Sequence, residues 1–208
     1  IGTHLSNYLR LKSDEIELIP FEDSYFKNKD QLSHFVLQCD TIVHLAAMNR
    51  GNPEEIYKCN IGLVKKLIRV LGETNHKPYI IFSSSIQEER DNPYGKSKKE
   101  GRKLFEEWAS QNNAKFTALI IPNVFGPFGE PFYNSVVSTF AYQITHYQSP
   151  QIEIDAHLKL IYINNLLRII YNHIINKTNQ HVLQTGHDFD VKVSEILKKL
   201  QMYHKTYY

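Results

Sequence analysis

Cysteine is nearly absent from this chain of 208 residues: Cys39 and Cys59 are the only two. They form neither a disulfide framework nor a metal-ligand pair, and they fit a reduced, cytoplasmic setting. Long apolar runs are missing too. None approaches the ~20 residues of a membrane-spanning helix, so no membrane partner is expected. Charge of one sign is not concentrated anywhere. The 24 Lys and Arg against 22 Asp and Glu leave a net charge of +2, with no basic block, which argues against a nucleic-acid partner. The ten histidines have no metal-ligand spacing, and no metal is expected. No secretory leader, repeat or low-complexity segment is read. The chain opens on Ile1-Gly2 rather than methionine, and the expectation is that the natural protein begins earlier.

What is present is ordinary for a globular protein, 42% hydrophobic and 22% charged. Its order is informative. Residues 3–10 read as a helix, 16–21 (IELIPF) as a strand limited by Pro20, and 30–38 as a helix. Thr41–Leu45 reads as a buried strand running into Ala46-Ala47. Pro53–Glu73 is a long helix whose apolar stripe includes Ile56, Leu63, Val64, Leu67 and Leu71. A strand over 78–82, a helix over 93–109 and a strand over 117–121 follow. This alternation predicts an α/β fold, a Rossmann-like doubly wound parallel sheet.

After Ile121 the texture changes. Residues 122–134 (PNVFGPFGEPFYN) are rich in Pro, Gly and aromatics. A helix around Phe140 and Ile144, a strand over 151–154, a segment over 158–163 leading into a helix to about Asn176, and a last helix over 191–203 come next. The reading is a core over 1–121 and a smaller lobe over 122–208 that binds substrate, with 181–184 returning to the core sheet.

The candidate chemistry lies in SSSIQEERDNPYGKSK, residues 83–98. Asn92 is a good N-cap and Pro93 suits the first helical position, so a helix is expected to start there. Tyr94 and Lys98 then share a face one turn apart. Ser83, Ser84 and Ser85 end the preceding strand, where a parallel sheet opens its ligand crevice. A free phenol has a pKa near ~10, and a nearby ammonium is expected to lower it. A tyrosine so placed exchanges a proton with a carbonyl or hydroxyl oxygen, and a serine hydroxyl holds that oxygen as it gains charge.

The glycine-rich turn that presents backbone N–H groups to a pyrophosphate is represented only by Gly2. The first strand and the rest of that turn are expected to lie outside this sequence. The acidic ribose ligand belongs about 20 residues beyond such a turn. Glu22 and Asp23 fall near it, but so do Pro20 and Phe21, which leaves NAD(H) and NADP(H) both open as the cofactor.

DTIVHLAA (40–47), Asn60, FSSS (82–85), YGKSK (94–98) and PNVFGP (122–127) occur in the order found in extended short-chain dehydrogenases/reductases. The chain resembles that superfamily's NAD-dependent epimerase/dehydratase branch. HLAAMNR (44–50), SSSIQ with DNPYGKSK, and YNSVVSTF (133–140) give a narrower likeness. They resemble capsular-polysaccharide enzymes that reduce the 4-keto group of a UDP-linked 2-acetamido-2,6-dideoxy sugar and carry a cupin domain after the reductase. The short gap between Ser85 and Tyr94 supports this subgroup over typical epimerases.

This resemblance implies Tyr94 as general acid toward the sugar O4 and Lys98 as partner of the nicotinamide ribose. Ser85 would bond the reacting oxygen, with Ser84 as second choice. Gly2, Leu45, Ala46, Ala47, Ser83 and Pro122 would line the cofactor. Asn49, Gln87, Asn123 and Asn134 would meet the substrate. It also implies a UDP-sugar as substrate, a homodimer formed through Pro53–Glu73 and Pro93–Ala109, and a C-terminal cupin domain. Other roles compete with these. His44 in an apolar strand reads first as a core histidine. Asn60 falls on an apolar stripe, where its amide needs a partner, and bracing is as good a reading as ligand binding. Asn134 suits a helix N-cap. Phe125, Phe128, Phe132 and Tyr133 read as lobe core.

Two features depart from the family pattern: Ile120 replaces an arginine before Pro122-Asn123, and Asn164-Asn165 replaces an acidic pair. The rival activities are a sugar-nucleotide 4-epimerase, a 4,6-dehydratase, and a non-catalytic dinucleotide sensor or scaffold. Ile86 and Gln87 offer no acid beside the serines, which counts against the dehydratase.

Overall fold

The computed structural model describes residues 1–207 and divides the chain into two compact units. The first contains Ile1–Ile120 and Leu167–Gln184, and the second contains Ile121–Leu166 and Thr185–Tyr208. The first unit therefore takes in 167–180 as well as the 181–184 segment expected to rejoin the core.

In the first unit, β1 (Thr41–His44), β2 (Tyr79–Ser85), β3 (Phe116–Ile121) and β6 (Val182–Gln184) form one sheet in that order. β1 is parallel to β2, and β3 is parallel to β6. The helices are α1 (Gly2–Arg10), α2 (Lys29–Gln38), α3 (Pro53–Thr74), α4 (Pro93–Asn112) and the later part of α6 (Ile163–Asn176). This is the expected α/β, Rossmann-like class. β2 and β3 are buried along their whole length, so their continuous apolar runs have covered faces on both sides.

The helix ends are written locally. Asn52 and Asn92 each accept a backbone N–H with the side-chain oxygen, from Glu54 and Gly95 respectively, and a proline follows each cap. Asn75 and Asn113 close the same two helices in the left-handed region, at φ 50°. α3 and α4 press Val64, Leu67, Leu71, Phe105 and Trp108 onto Ile80 and Phe82. Gly101 lets them approach, because a Cβ there would come within 3.1 Å of the Phe82 ring.

Residues 16–21 form no strand. Their β pattern has no ladder partner among the described residues, and Pro20 removes one donor. A five-residue 3₁₀ turn, Asp23–Lys27, follows instead. Phe21, just before it, contacts Tyr25, Phe26 and Phe35 edge-on.

In the second unit, β5 (His157–Tyr162) lies between β4 (Asn123–Phe125) and β7 (Phe189–Lys192), parallel to the first and antiparallel to the second. α5 (Val136–Thr145) and α7 (Val193–Tyr207) bury Phe140, Leu160, Val193 and Ile196 against this sheet. β4 and β7 lie where a loop and a helix start were expected. The strand expected over 151–154 is absent, and Ile154 is exposed. The missing acidic pair at 164–165 has a counterpart in Asp188, whose carboxylate accepts from the Tyr162 N–H and from the Asn165 amide. Among the described residues no helix is long and apolar enough to cross a membrane.

Candidate active site

The serines are the last three residues of β2 itself, all buried. They are not equivalent. Ser83 donates to the His44 carbonyl at 3.1 Å and accepts from Lys98 Nζ at 3.4 Å. Ser84 donates to the carboxylate of Glu88. Ser85 accepts the Gln87 backbone N–H at 3.1 Å as cap of the 3₁₀ turn Ile86–Glu89. Only Ser85 therefore has a hydroxyl proton not committed within the first unit. Ser84 thus gives its proton to Glu88, and Ser83 links Lys98 to the His44 carbonyl of β1.

Tyr94 and Lys98 lie on α4 as expected. Lys98 is 3% exposed. Its ammonium sits 4.8 Å from the Phe82 ring centroid and 5.8 Å from that of Tyr94. Burial lowers its pKa to about 8, against a raising influence from Glu88. The Tyr94 phenol forms no hydrogen bond within the first unit. Burial raises its pKa, the opposite of the lowering expected from Lys98, so Tyr94 keeps its proton.

His44 is a core histidine. Its ring stacks on Phe82, meets Phe26 and Phe105 edge-on, and leaves Nε2 buried without a partner. Burial and the nearby Lys98 push its pKa down to about 3, so it is neutral.

Asn60 is a brace. Its Oδ1 accepts the Met48 N–H at 2.7 Å, and its Nδ2 donates at 2.9 Å to both the Met48 carbonyl and Ser97 Oγ. Ser97 in turn donates to the Tyr94 carbonyl at 2.7 Å. One amide thus ties the loop after β1, which carries Leu45, Ala46, Ala47 and Asn49, to the helical turn that carries Tyr94. A Cβ on Gly2 would lie 4.0 Å from Leu45 Cδ1, so those two expected cofactor residues are neighbours. Gln87 is half-buried on the 3₁₀ turn, and its Oε1 is 3.5 Å from Asn92 Nδ2.

The remaining expected residues belong to the second unit. Pro122 is buried. Asn123 gives its amide to the Lys159 carbonyl at 3.1 Å, bracing β4 on β5. Asn134 is exposed, and the cap of α5 is Ser135, not Asn134. Phe128, Phe132 and Tyr133 are exposed rather than core.

Sequence reasoning missed Glu88 and Arg102. Their side chains are 4% and 16% exposed, and Arg102 grips the carboxylate with Nε at 3.0 and 3.1 Å and Nη2 at 2.9 Å. A separation of fourteen positions carries no local signal; the one hint is a glutamate three residues after Ser85. Among the described residues no group of acidic, His or Cys side chains could hold a metal.

Lys98 tests the site for a nicotinamide cofactor. A buried ammonium has three donors, and among the described residues it has one hydrogen bond, a long one to Ser83. Two unused donors beside the Tyr94 ring fit the hydroxyls of a ribose.

The family model for the NAD dependent epimerase/dehydratase family matches residues 3–183. UDP-2-acetamido-2,6-beta-L-arabino-hexul-4-ose reductase of Pseudomonas aeruginosa is 29% identical over 203 residues, 96% of this chain and 54% of that protein. The capsular polysaccharide assembling protein CapF of Staphylococcus aureus superposes with a TM-score of 0.72 at 30% identity, over 86% of this chain and 48% of CapF. UDP-glucose 4-epimerase of Thermotoga maritima, solved with UDP-glucose, gives 0.77 at 19% identity over 88% and 67%, a likeness of fold. The chain spans about half the length of the curated relative it matches.

Proposed function

The chain belongs to the NAD dependent epimerase/dehydratase family, and from that premise we propose that it is the reductase part of a sugar-nucleotide enzyme. Its reaction is the NAD(P)H-dependent reduction of the 4-keto group of a UDP-linked 2-acetamido-2,6-dideoxy-hexulose for surface polysaccharide. The observation that carries this reading is the proton inventory. Ser85 alone among the strand-end hydroxyls is free to donate, and Tyr94 is held protonated by burial. A reductase needs both. Ser85 steadies the carbonyl oxygen as charge develops on it, and Tyr94 delivers the proton to that oxygen. Lys98 offers its two spare donors to the ribose and keeps a positive charge beside the phenol as the proton leaves.

Gly2, Leu45, Ala46, Ala47, Ser83, Lys98 and Pro122 would hold the cofactor. A reduced nicotinamide, when bound, supplies the hydride. Asn49, Gln87, Asn123 and Asn134 are the proposed contacts to the sugar nucleotide. The relative's printed activity supports the substrate class. Glu88 does not revive the dehydratase, because Arg102 and Ser84 occupy its oxygens.

The same reading includes a homodimer through α3 and α4 and a cupin domain in the full protein. The test is stoichiometric: the protein, a UDP-linked 4-keto sugar and NADPH or NADH are mixed, and cofactor oxidation is compared with 4-hydroxy product. One-to-one consumption is expected. Interconversion of UDP-sugars with no net cofactor oxidation would identify an epimerase, and tight cofactor binding without turnover a sensor.

A further inference from the structure

Two cations stand one turn apart on the inner face of α4, Lys98 and Arg102. Like charges at that spacing repel, and burial raises the cost. Lys98 has no ion pair among the described residues. The groups beside it are neutral His44 from β1, Ser83 and the Phe82 ring from β2, and Tyr94 from its own helix. Glu88, on the 3₁₀ turn, is the one acid whose charge acts on it. It is also mechanically central. Its carboxylate takes the Ser84 hydroxyl on one side and the Arg102 guanidinium on the other. The 3₁₀ turn that carries it lies flush on the start of α4, where a Cβ on Gly95 would come within 2.0 Å of the Gln87 carbonyl oxygen. Beyond Arg102 stands Glu106, 3.6 Å from its Nη1, and His181 Nδ1 lies 3.5 Å from the Glu106 carboxylate.

We propose that Glu88 is a positioning residue for the reduction: clamped by Arg102, it fixes the end of β2 against α4 so that Ser85 and Tyr94 keep their spacing, and it supplies the negative charge that keeps Lys98 an ammonium. This rests on the reading of Ser85, Tyr94 and Lys98 given above. Ser84 is then the link between the clamp and the strand, and its hydroxyl serves Glu88 rather than the substrate. The partners of Glu88 are Ser84 and Arg102, and it acts on the reaction through Ser84 and Lys98.

Two variants separate the mechanical and the electrostatic parts. Glu88→Gln keeps the shape and removes the charge. Ser84→Ala keeps the charge, still paired with Arg102, and removes the link. Both are measured for kcat and KM separately, for the pH profile of kcat/KM, and for the titration of the Lys98 side chain by carbon-13 NMR. Glu88→Gln is expected to move the Lys98 titration and the alkaline limb of the profile down by about one pH unit, the low end of what a nearby opposite charge contributes.

Ser84→Ala is expected to lower kcat roughly ten-fold with KM little changed, as for loss of orientation alone, and to leave the Lys98 titration in place. An unmoved Lys98 titration in Glu88→Gln overturns the electrostatic part, and a parental kcat in Ser84→Ala overturns the mechanical part. If Glu88→Gln does not fold, Glu88→Asp replaces it; with the charge retained, it should titrate Lys98 as the parent does, and a downward shift there overturns the assignment. If the parent reduces no 4-keto UDP-sugar, the functional reading fails, while the Lys98 titration still decides whether Glu88 sets its charge.

Discussion

The corner where β2 meets α4 and the loop over 126–134 place opposite kinds of side chain in opposite surroundings. At the corner, polar groups are buried and committed: Ser83 to His44 and Lys98, Ser84 to Glu88, Asn60 to Met48 and Ser97. In the loop, apolar groups are exposed. Phe128 is 96% exposed, and Phe128 and Phe132 both sit in the left-handed region at φ 59° and 58°. The Phe132 N–H is held by Thr139 Oγ1 at 2.9 Å. The difference teaches where geometry is enforced. An unmatched buried polar group is costly, so the corner tolerates one arrangement. An exposed ring loses little by moving, so the loop enforces its geometry less strictly than the corner.

Perturbing the corner should therefore cost far more than perturbing the loop. The largest effect is expected from Tyr94→Phe. Turnover should fall by about 10²–10⁴, the usual share of a general acid, while nicotinamide titration should give a nearly unchanged affinity. Full activity in that variant would remove the corner from the chemistry. Asn60→Ala strands the Met48 N–H and carbonyl and takes one of the two hydrogen bonds of Ser97 Oγ. Denaturant unfolding should show a loss of roughly 2–3 kcal/mol, the scale of unsatisfied buried groups, together with slower turnover. A stability equal to the parent's would mean that water replaces the amide.

Gly95→Ala drives a methyl group into the Gln87 carbonyl. It should destabilise by about 1–3 kcal/mol, as overpacking does, and lower kcat more than it raises KM.

The corner should also show in pH. Lys98 is an ammonium below about 8 and loses its proton above. kcat/KM should accordingly fall as pH rises through about 8, and a profile flat well above that value would deny Lys98 its role. Stability should move the other way. Between about 8 and the ordinary lysine value of 10.5 the unfolded chain binds the extra proton, so this residue's contribution to unfolding free energy rises with pH across that window.

The smallest effect is expected in the loop. Phe128→Ala should leave stability within about 0.5 kcal/mol, as for exposed positions generally. A clear loss of thermal stability there would show the loop to be a structural element and erase the contrast with the corner.

Much of the corner is legible in the sequence alone. The cap at Asn92, the proline after it and the shared face of Tyr94 and Lys98 follow from the sequence, and α4 begins at Pro93 as they require. Asn60 was readable as an amide on an apolar stripe that needed a partner. Which partner was not readable, because Met48 and Ser97 lie 12 and 37 positions away. The strand pattern at 16–21 failed for a related reason: alternation states a preference, and a ladder needs a neighbour. β4 and β7, three and four residues long, were too short to show a period. Composition does not distinguish a buried ring from an exposed one, so Phe125 packs against the lobe core while Phe128, Phe132 and Tyr133 are exposed.

The sequence by itself determined the α/β order, the capped start of α4, and a phenol and an ammonium one turn apart, because helix capping and i,i+4 spacing act within a few residues of chain. Only the tertiary structure decided which of three adjacent serines keeps a free proton, why Tyr94 is held protonated, and which acid faces Lys98. Those outcomes depend on burial and on partners brought together from β1, β2, the 3₁₀ turn and α4, and neither desolvation nor a long-range hydrogen bond leaves a mark in the local pattern of residues.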